Sequence, residues 1–252
     1  MHLSHETVPI QVPGINLNLS TIHRLISAPP IVFLHGFGSC KEDLADLVLH
    51  PAMQENGFIA YDAPGCGHST TDNLSATDIP FLVATAEAFL EHFNIKKFHI
   101  MGHSMGGFVD IKGNLAPEDC FLSRQIFTFP LDDPEKFFDE FIDRTRKARS
   151  YSNPLYASAL RLRVRAGAVR PIFESMVQLS DHEDLLGIFL SLPFPKMFMF
   201  GEECRDLSYL PRLQKEGVEL AEIPQSGHFP MYSNPVEMYK RIAAFLHLTK
   251  QS

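Results

Sequence analysis

The sequence predicts an α/β fold, a mostly parallel sheet flanked by helices with an inserted helical cap. Over the first hundred residues, short continuous apolar runs alternate with helical segments, which is typical of parallel strands covered on both faces. Glycine-containing turns follow three of these runs. Because the carboxyl ends of parallel strands share one edge of the sheet, residues in these turns are candidate ligand-binding residues.

The elements follow one another as such a fold requires. Residues 10–26 alternate loosely around Pro13 and Gly14 and predict an antiparallel hairpin. The predicted buried strands that follow are residues 31–34, 57–61 and 98–101, with helices between them at residues 41–50 and 76–93. The last predicted elements are strands at residues 196–201 and 218–223 and a closing helix at residues 235–248.

Residues 130–192 interrupt this alternation and predict the cap. Amphipathic periodicity indicates helices at residues 133–149, 155–169 and 172–179, the last two separated by Pro171. Phenylalanines form the apolar side of the first helix and are expected first in the core and second along an apolar substrate pocket. The remaining residues, 1–129 and 193–252, form the core domain in this interpretation.

Composition and charge exclude several classes of protein. A formal net charge of −8 argues against a nucleic-acid partner. No apolar run reaches 18 residues, so no transmembrane helix is expected, and residues 1–12 lack the features of a signal peptide. The four cysteines are widely spaced without a metal-ligand pattern. We therefore expect a reduced cytoplasmic protein without a metal site.

Residues 102–106 (GHSMG) match the pattern G-x-S-x-G directly after an apolar strand. A serine on a sharp strand-to-helix turn needs small neighbours, which Gly102 and Gly106 supply, and its hydroxyl then stands at the edge of the sheet. The amides of a following helix would favour a developing negative charge at the same place. Ser104 is therefore the predicted nucleophile.

The segment after Ser104 departs from this scheme. A parallel strand needs a crossover of about a dozen residues before the next one, yet residues 107–114 already have the pattern of a strand ending in a turn. Two alternatives stay open: the crossover helix is very short, or this segment is itself helical. A missing crossover helix would leave apolar sheet surface uncovered.

Two further strand ends supply the other predicted site residues. His228 lies in a Ser-Gly-His-Phe-Pro loop after the last predicted strand, so it shares an edge with Ser104 and is the predicted base. In residues 35–38 (HGFG), small residues let the Phe37 amide approach a substrate oxygen; a simple strand-ending turn is the alternative. Asp62 is expected to brace its loop by local hydrogen bonds.

Together, residues 35–38, 62–69, 102–107 and 226–228 resemble the α/β-hydrolase superfamily over nearly the whole chain. The resemblance implies an α/β-hydrolase fold, Ser104 as nucleophile, His228 as base, and the amides of Phe37 and Met105 as an oxyanion hole. It implies no metal or organic cofactor. Serine at the nucleophile position distinguishes the chain from the haloalkane dehalogenase and epoxide hydrolase branches.

The resemblance breaks down at the acid of the triad. The usual position, three residues past Gly201, holds Cys204. With a shifted loop, Asp206 is the first substitute and Glu203 a second.

A minority resembling the lactone-cleaving zearalenone hydrolases place a glutamate after the strand that follows the elbow. The matching turn, residues 110–114, contains Asp110 as a further candidate but has Lys112 where the acid is expected. The remaining alternative is that no acid is in place.

The leading hypothesis is a serine hydrolase for a carboxylic ester or lactone with an apolar portion. A C–C bond hydrolase of the same fold and a catalytically degenerate hydrolase-fold binding protein are the alternatives. The expected partner is a small apolar ester or lactone, with a homodimer as an open possibility and no nucleic acid or membrane.

Overall fold

The strands form one sheet with its parallel part in the middle and at one end. A computed structural model describes residues 2–105, 109–128, 133–149 and 152–249. The strands within these ranges are β1 (Ser4–Val12), β2 (Ile15–Arg24), β3 (Pro30–Leu34), β4 (Gly57–Tyr61), β5 (Thr70–Thr71), β6 (His99–His103), β7 (Val109–Ile111), β8 (Met197–Gly201) and β9 (Glu219–Ile223). Their order is β1-β2-β4-β3-β6-β7-β8-β9, with β5 beside β2.

The pairing confirms the predicted mostly parallel sheet. β1 and β2 form the antiparallel hairpin, closed by Gly14 at φ +79°, and β2 is antiparallel to β4. From β4 to β9 every neighbouring pair is parallel. The turns after β3, β6, β7, β8 and β9 therefore meet at one edge of the sheet.

Helices flank the sheet in the described ranges. They are α1 (Ile79–His92), α2 (Pro134–Lys147), α3 (Asn153–Arg163), α4 (Ala166–His182), α5 (Leu185–Ser191), α6 (Leu210–Lys215), α7 (Pro230–Ser233) and α8 (Pro235–Thr249). The helix predicted at residues 41–50 is a 3₁₀ helix, Lys41–Leu49. No helix in these parts of the chain is long and apolar enough to cross a bilayer.

Helices α2–α5 lie between β7 and β8, in the region predicted as the cap. The predicted break at Pro171 is wrong, since Pro171 lies inside α4. The chain breaks instead at Val164, which is extended and forms an isolated bridge with Cys66. Hydrogen bonds from Gly67 N to Arg163 O (2.7 Å) and from Arg165 N to Gly65 O (2.9 Å) fix this break. The division into core and cap domains stays a prediction.

Phenylalanines join these helices to the sheet edge, as expected for the first cap helix. Phe137, Phe138 and Phe141 of α2 are all buried. The Phe37 ring lies 4.5 Å from the Phe173 ring of α4, centroid to centroid, and 6.0 Å from the Phe141 ring. One continuous apolar core therefore includes both the sheet and α2–α4.

The link between β6 and β7 is unusually short. Only residues 104–108 separate two parallel strands that pair in register from Met101 with Val109 to His103 with Ile111. Residues 106–108 lie outside the described residues, and with them Gly106 and the first part of the segment predicted from 107. The strand alternative is correct for residues 109–111, and no room remains for a crossover helix of about a dozen residues.

Two apolar cavities flank β6. One, about 580 Å³, is lined by sheet residues such as Leu34 and Ile100 and by the Leu82 and Leu90 side chains of α1. The other, about 590 Å³, lies at the start of the strand, and its lining includes Phe98, Phe194 and Phe245. Their apolar lining agrees with the expectation that a missing crossover helix leaves apolar sheet surface uncovered.

Candidate active site

Ser104 occupies the turn after β6 in the left-handed region, with φ +61°. Two hydrogen bonds hold it there: Ser104 N donates to Ile111 O at 3.1 Å, and Ser104 O accepts from Asn114 N at 3.0 Å. A Cβ at Gly36 would lie 2.8 Å from the Ser104 Cβ, so the neighbouring loop can approach only as glycine. A non-glycine residue in this conformation is strained, a condition often found at functional sites.

The loop after β3 is a tight turn that α3 holds in place. A turn from Gly36 to Ser39 is closed by Ser39 N donating to Gly36 O at 3.1 Å, with Gly38 at φ +75°. Tyr156 Oη of α3 donates to Phe37 O at 2.9 Å and fixes this peptide. Among the described residues, neither the Phe37 nor the Met105 amide donates to a backbone carbonyl.

A buried ion pair supports this loop from behind. Asp62 is fully buried and accepts from Lys41 N (3.0 Å), Lys41 Nζ (2.8 Å) and His68 N (2.9 Å). Burial would raise the pKa of Asp62, but His35 and these hydrogen bonds lower it below its ordinary value. The bracing role predicted for Asp62 is confirmed.

His228 lies in the loop after β9 and lines a small cavity, about 30 Å³, together with Ser104 and Phe37. No hydrogen bond joins Ser104 to His228 in the described structure. The His228 carbonyl accepts from His103 Nε2 at 2.9 Å, which ties the loop to the end of β6. Burial lowers the pKa of His103 to about 4, so this imidazole is neutral at pH 7 and carries its proton on Nε2.

The His228 ring lacks the partner that orients a triad histidine. Its Nδ1 is buried without a hydrogen-bond partner among the described residues. Burial lowers the pKa of His228 well below its ordinary value, and His103 and Lys112 lower it further. In a triad, a carboxylate on Nδ1 would raise this pKa and stabilise the imidazolium.

The structure does not bring the predicted acid Asp206 to His228. Asp206 is exposed in the loop that follows the 3₁₀ turn Glu202–Cys204, so it is a surface carboxylate. Glu203 and Cys204 line a cavity of about 360 Å³ with His228. Glu203 is itself exposed there, and burial raises the pKa of the Cys204 thiol. None of the three hydrogen-bonds Nδ1.

Lys112 lines the same cavity as His228, at the position where an acid was expected. It is buried, with φ +49°, and its Nζ lies 2.5 Å from Asp119 Oδ1. Asp119 also accepts from Tyr209 Oη at 3.0 Å and from two backbone amides at 2.9 and 3.0 Å. A lysine paired with Asp119 therefore lies beside His228, the predicted base, where a carboxylate was expected.

Asp119 and Tyr209 were missed from the sequence. The available signal was Lys112 itself, because a lysine in a buried turn requires a carboxylate partner.

Asp110, the remaining acid candidate, lines a different cavity from His228. It lines a cavity of about 240 Å³ that reaches Ser104 and Met105 but not His228. Ser104, Asn114 and Met176 line both this cavity and the smaller one beside His228, so the two cavities meet at the serine. A molecule that reaches Ser104 can thus extend into either cavity.

Comparisons with known proteins agree with the fold. A sequence model of the alpha/beta hydrolase family matches residues 31–241. The acetyltransferase component of the acetoin cleaving system of Pseudomonas putida is 44% identical over 92 residues, 35% of this chain and 24% of that protein. The chain thus spans about a quarter of this relative's length, and 25% to 35% of the next three relatives.

Solved structures match over nearly the whole chain. A carboxylesterase structure from Nitrososphaera gargenis aligns with a TM-score of 0.75 at 14% identity, covering 97% of this chain and 99% of that one. An N-acyl homoserine lactonase aligns with a TM-score of 0.71 at 15% identity, covering 99% and 98%. At such low identity, these likenesses show the fold alone.

Proposed function

The chain belongs to the alpha/beta hydrolase family, and from this premise we propose that it is a serine hydrolase of carboxylic esters or lactones with an apolar portion. The observation that carries the proposal is the cavity shared by Ser104, Phe37 and His228, with Ser104 held at φ +61°. Solved structures of a carboxylesterase and a lactonase with the same fold support this substrate class.

In the proposed reaction, the Ser104 hydroxyl oxygen attacks the ester carbonyl carbon while His228 accepts its proton. The amides of Phe37 and Met105 hydrogen-bond the oxyanion that forms. The tetrahedral intermediate collapses, and the leaving alkoxide takes the proton from His228. Water then attacks the acyl-enzyme with His228 again as base, which releases the acid and restores Ser104.

The proposal uses a serine–histidine pair without a carboxylate on His228 Nδ1, because Asp206 is exposed. In the serine protease template, disabling the acid reduces kcat by about 10⁴. The oxyanion amides and the nucleophile retain part of the rate enhancement. We therefore expect slow but measurable turnover.

A fluorophosphonate probe tests the assembled site, with labelling followed by intact mass. Wild type should gain one adduct, while Ser104→Ala and His228→Ala should not. Ser191→Ala is the matched control, since Ser191 is an exposed serine at the end of α5, and it should label as the wild type does. An adduct that persists in Ser104→Ala would overturn the assignment of the nucleophile.

The unpartnered His228 Nδ1 favours one second candidate, a hydrolase-fold binding protein without turnover. The absence of labelling in a wild-type protein that melts cooperatively would support this candidate. Turnover of an ester that is lost in Ser104→Ala would exclude it. A C–C bond hydrolase shares the same residues and is separated only by a substrate panel.

A further inference from the structure

The larger cavity at Ser104 is apolar apart from a few groups. Residues of α4 and α5, including Met176, Leu179 and Phe189, form one side of its wall. Of its polar residues, Ser180 accepts from Cys120 Sγ at 3.2 Å and Asn114 Nδ2 donates to Cys120 Sγ at 3.4 Å. These two side chains therefore already interact within the protein.

Asp110 differs from them. Its side chain comes from β7 and is almost completely buried, with 3% of its surface exposed. Its Oδ1 has no hydrogen-bond partner among the described residues. A buried carboxyl oxygen without a partner loses its hydration without compensation, and such groups are expected where a ligand completes the pairing.

The packing of Asp110 fixes its position. The carboxyl lies against the backbone of Gly113, where a Cβ would approach Oδ1 within 1.9 Å. Burial raises the pKa of Asp110 well above its ordinary value, although the charge of Lys112 lowers it. In its protonated form, which burial favours, the carboxyl group can donate an O–H hydrogen bond.

We propose that Asp110 binds the substrate: its unpaired carboxyl group hydrogen-bonds an oxygen atom carried by the apolar acyl portion that enters the larger cavity. The preferred substrates are then neutral esters or lactones with a second oxygen, such as a ketone, hydroxyl or amide carbonyl, in that portion. This inference rests on the proposed function. An acyl chain fits the cavity of about 240 Å³, whereas the cavity of about 30 Å³ holds only a small alcohol group.

The test compares methyl hexanoate with methyl 3-, 4- and 5-oxohexanoate, because a methyl alcohol portion leaves the larger cavity to the acyl chain. Hydrolysis is followed by methanol release. Wild type should prefer one oxo ester over methyl hexanoate. For each protein, the kcat/KM of an oxo ester is divided by that of methyl hexanoate. The ratio for wild type is then divided by the ratio for Asp110→Leu, which removes the intrinsic reactivity of the ketone.

We expect this double ratio to be about 10, the effect of one hydrogen bond in a desolvated site. Asp110→Asn should keep most of the preference, because its amide can donate where the carboxylic acid does. Ser180→Ala, in the same cavity, should leave the ratio unchanged. A double ratio close to 1 for all three oxo esters would overturn the inference while leaving the proposed hydrolysis intact.

Two further measurements keep the outcome decisive. If Asp110→Leu does not melt cooperatively, Asp110→Val supplies the same double ratio. If no ester is hydrolysed, the proposed function fails. Calorimetry then measures the Kd of the same methyl esters for two proteins, Ser104→Ala and Ser104→Ala combined with Asp110→Leu, and these values decide the inference. In each protein, the Kd of methyl hexanoate is divided by the Kd of the oxo ester. An equal ratio in both proteins would contradict the inference, and a ratio about 10 times larger with Asp110 present would support it.

Discussion

The loops on the two sides of Ser104 differ in how their buried polar groups are paired. The oxyanion side consists of residues 35–41 and 62–68. There Asp62 accepts three hydrogen bonds and pairs with Lys41. The base side consists of Lys112, Asp119, Cys204 and His228. There the Lys112 ammonium pairs with Asp119, but His228 Nδ1 has no hydrogen-bond partner among the described residues. The comparison indicates that the buried ion pair is satisfied on the side proposed to hold the oxyanion, whereas the proposed base lacks an acid partner among the described residues.

The largest change in activity is expected when an acid is placed on the base side. Lys112→Glu combined with Asp119→Asn puts a carboxylate beside His228 and avoids two neighbouring carboxylates. We expect kcat/KM for a simple ester to rise by about 10² or more, part of the 10⁴ attributed to the triad acid. Steady-state kinetics of the purified variants measure this rise.

The matched control is Lys112→Gln with Asp119→Asn, which removes both charges without adding an acid. It should also raise the pKa of His228, because one of the positive neighbours that lower this pKa is gone. The acid limb of its kcat/KM profile should then move to higher pH. Equal activity of the two double variants would show that position 112 does not reach the base.

On the oxyanion side, Asp62→Ala should cost about 3 kcal/mol of the free energy of unfolding, because it leaves the buried Lys41 ammonium with only the exposed Glu42 as partner. Urea unfolding at pH 7 measures the loss. Asp72→Ala is the control, since Asp72 is an exposed acid hydrogen-bonded to Asn16, and it should cost less than about 1 kcal/mol. Similar losses in both variants would contradict a supporting role for the ion pair.

His103 links the two sides and makes stability depend on pH. Its pKa is about 4 in the folded protein and about 6.5 unfolded, so the unfolded chain binds the extra proton between these values. The free energy of unfolding therefore falls as pH drops through this window, by about 3 kcal/mol from this group.

His103→Gln keeps a donor for the His228 carbonyl but removes the titration. Asp110 contributes a slope of opposite sign in both proteins and His228 one of the same sign, so the difference between the proteins reports His103 together with its effect on the pKa of His228. Urea midpoints at pH 4, 5 and 6.5 should vary less with pH in the variant. The same variation in both proteins would mean that His103 is protonated in the folded state well above pH 4.

The smallest effect is expected from Asp206→Asn. Because Asp206 is exposed and does not hydrogen-bond His228 Nδ1, the variant should keep its stability within about 0.5 kcal/mol and its kcat/KM within about twofold. Thermal melting and ester hydrolysis check both. A loss of several hundredfold would instead identify Asp206 as the acid in the working enzyme.

The sequence predicted the parallel sheet and the positions of Ser104 and His228 because those signals are local. Apolar runs with glycine turns at their ends define the strands, and the segment around Ser104 determines its own backbone conformation. The turn of Asp62 was predictable for the same reason, since its hydrogen bonds largely stay within neighbouring loops.

The features that escaped prediction depend on residues distant along the chain. The break at Val164 arises from its bridge to Cys66, which overrides the local signal of Pro171. The Lys112–Asp119–Tyr209 network joins three separate segments. The exposure of Asp206 likewise follows from how the loop after β8 packs, which spacing from Gly201 does not determine.

The five-residue link between β6 and β7 also bears on the order of folding. Parallel neighbours usually come together only after a long crossover, so the centre of such a sheet closes late. Here Met101 pairs with Val109, eight positions along the chain, and closing so short a loop costs about 1 kcal/mol less entropy than a crossover of about 25 residues. The central parallel pair is thus as local as a hairpin and can form on the microsecond timescale, before the surrounding helices dock.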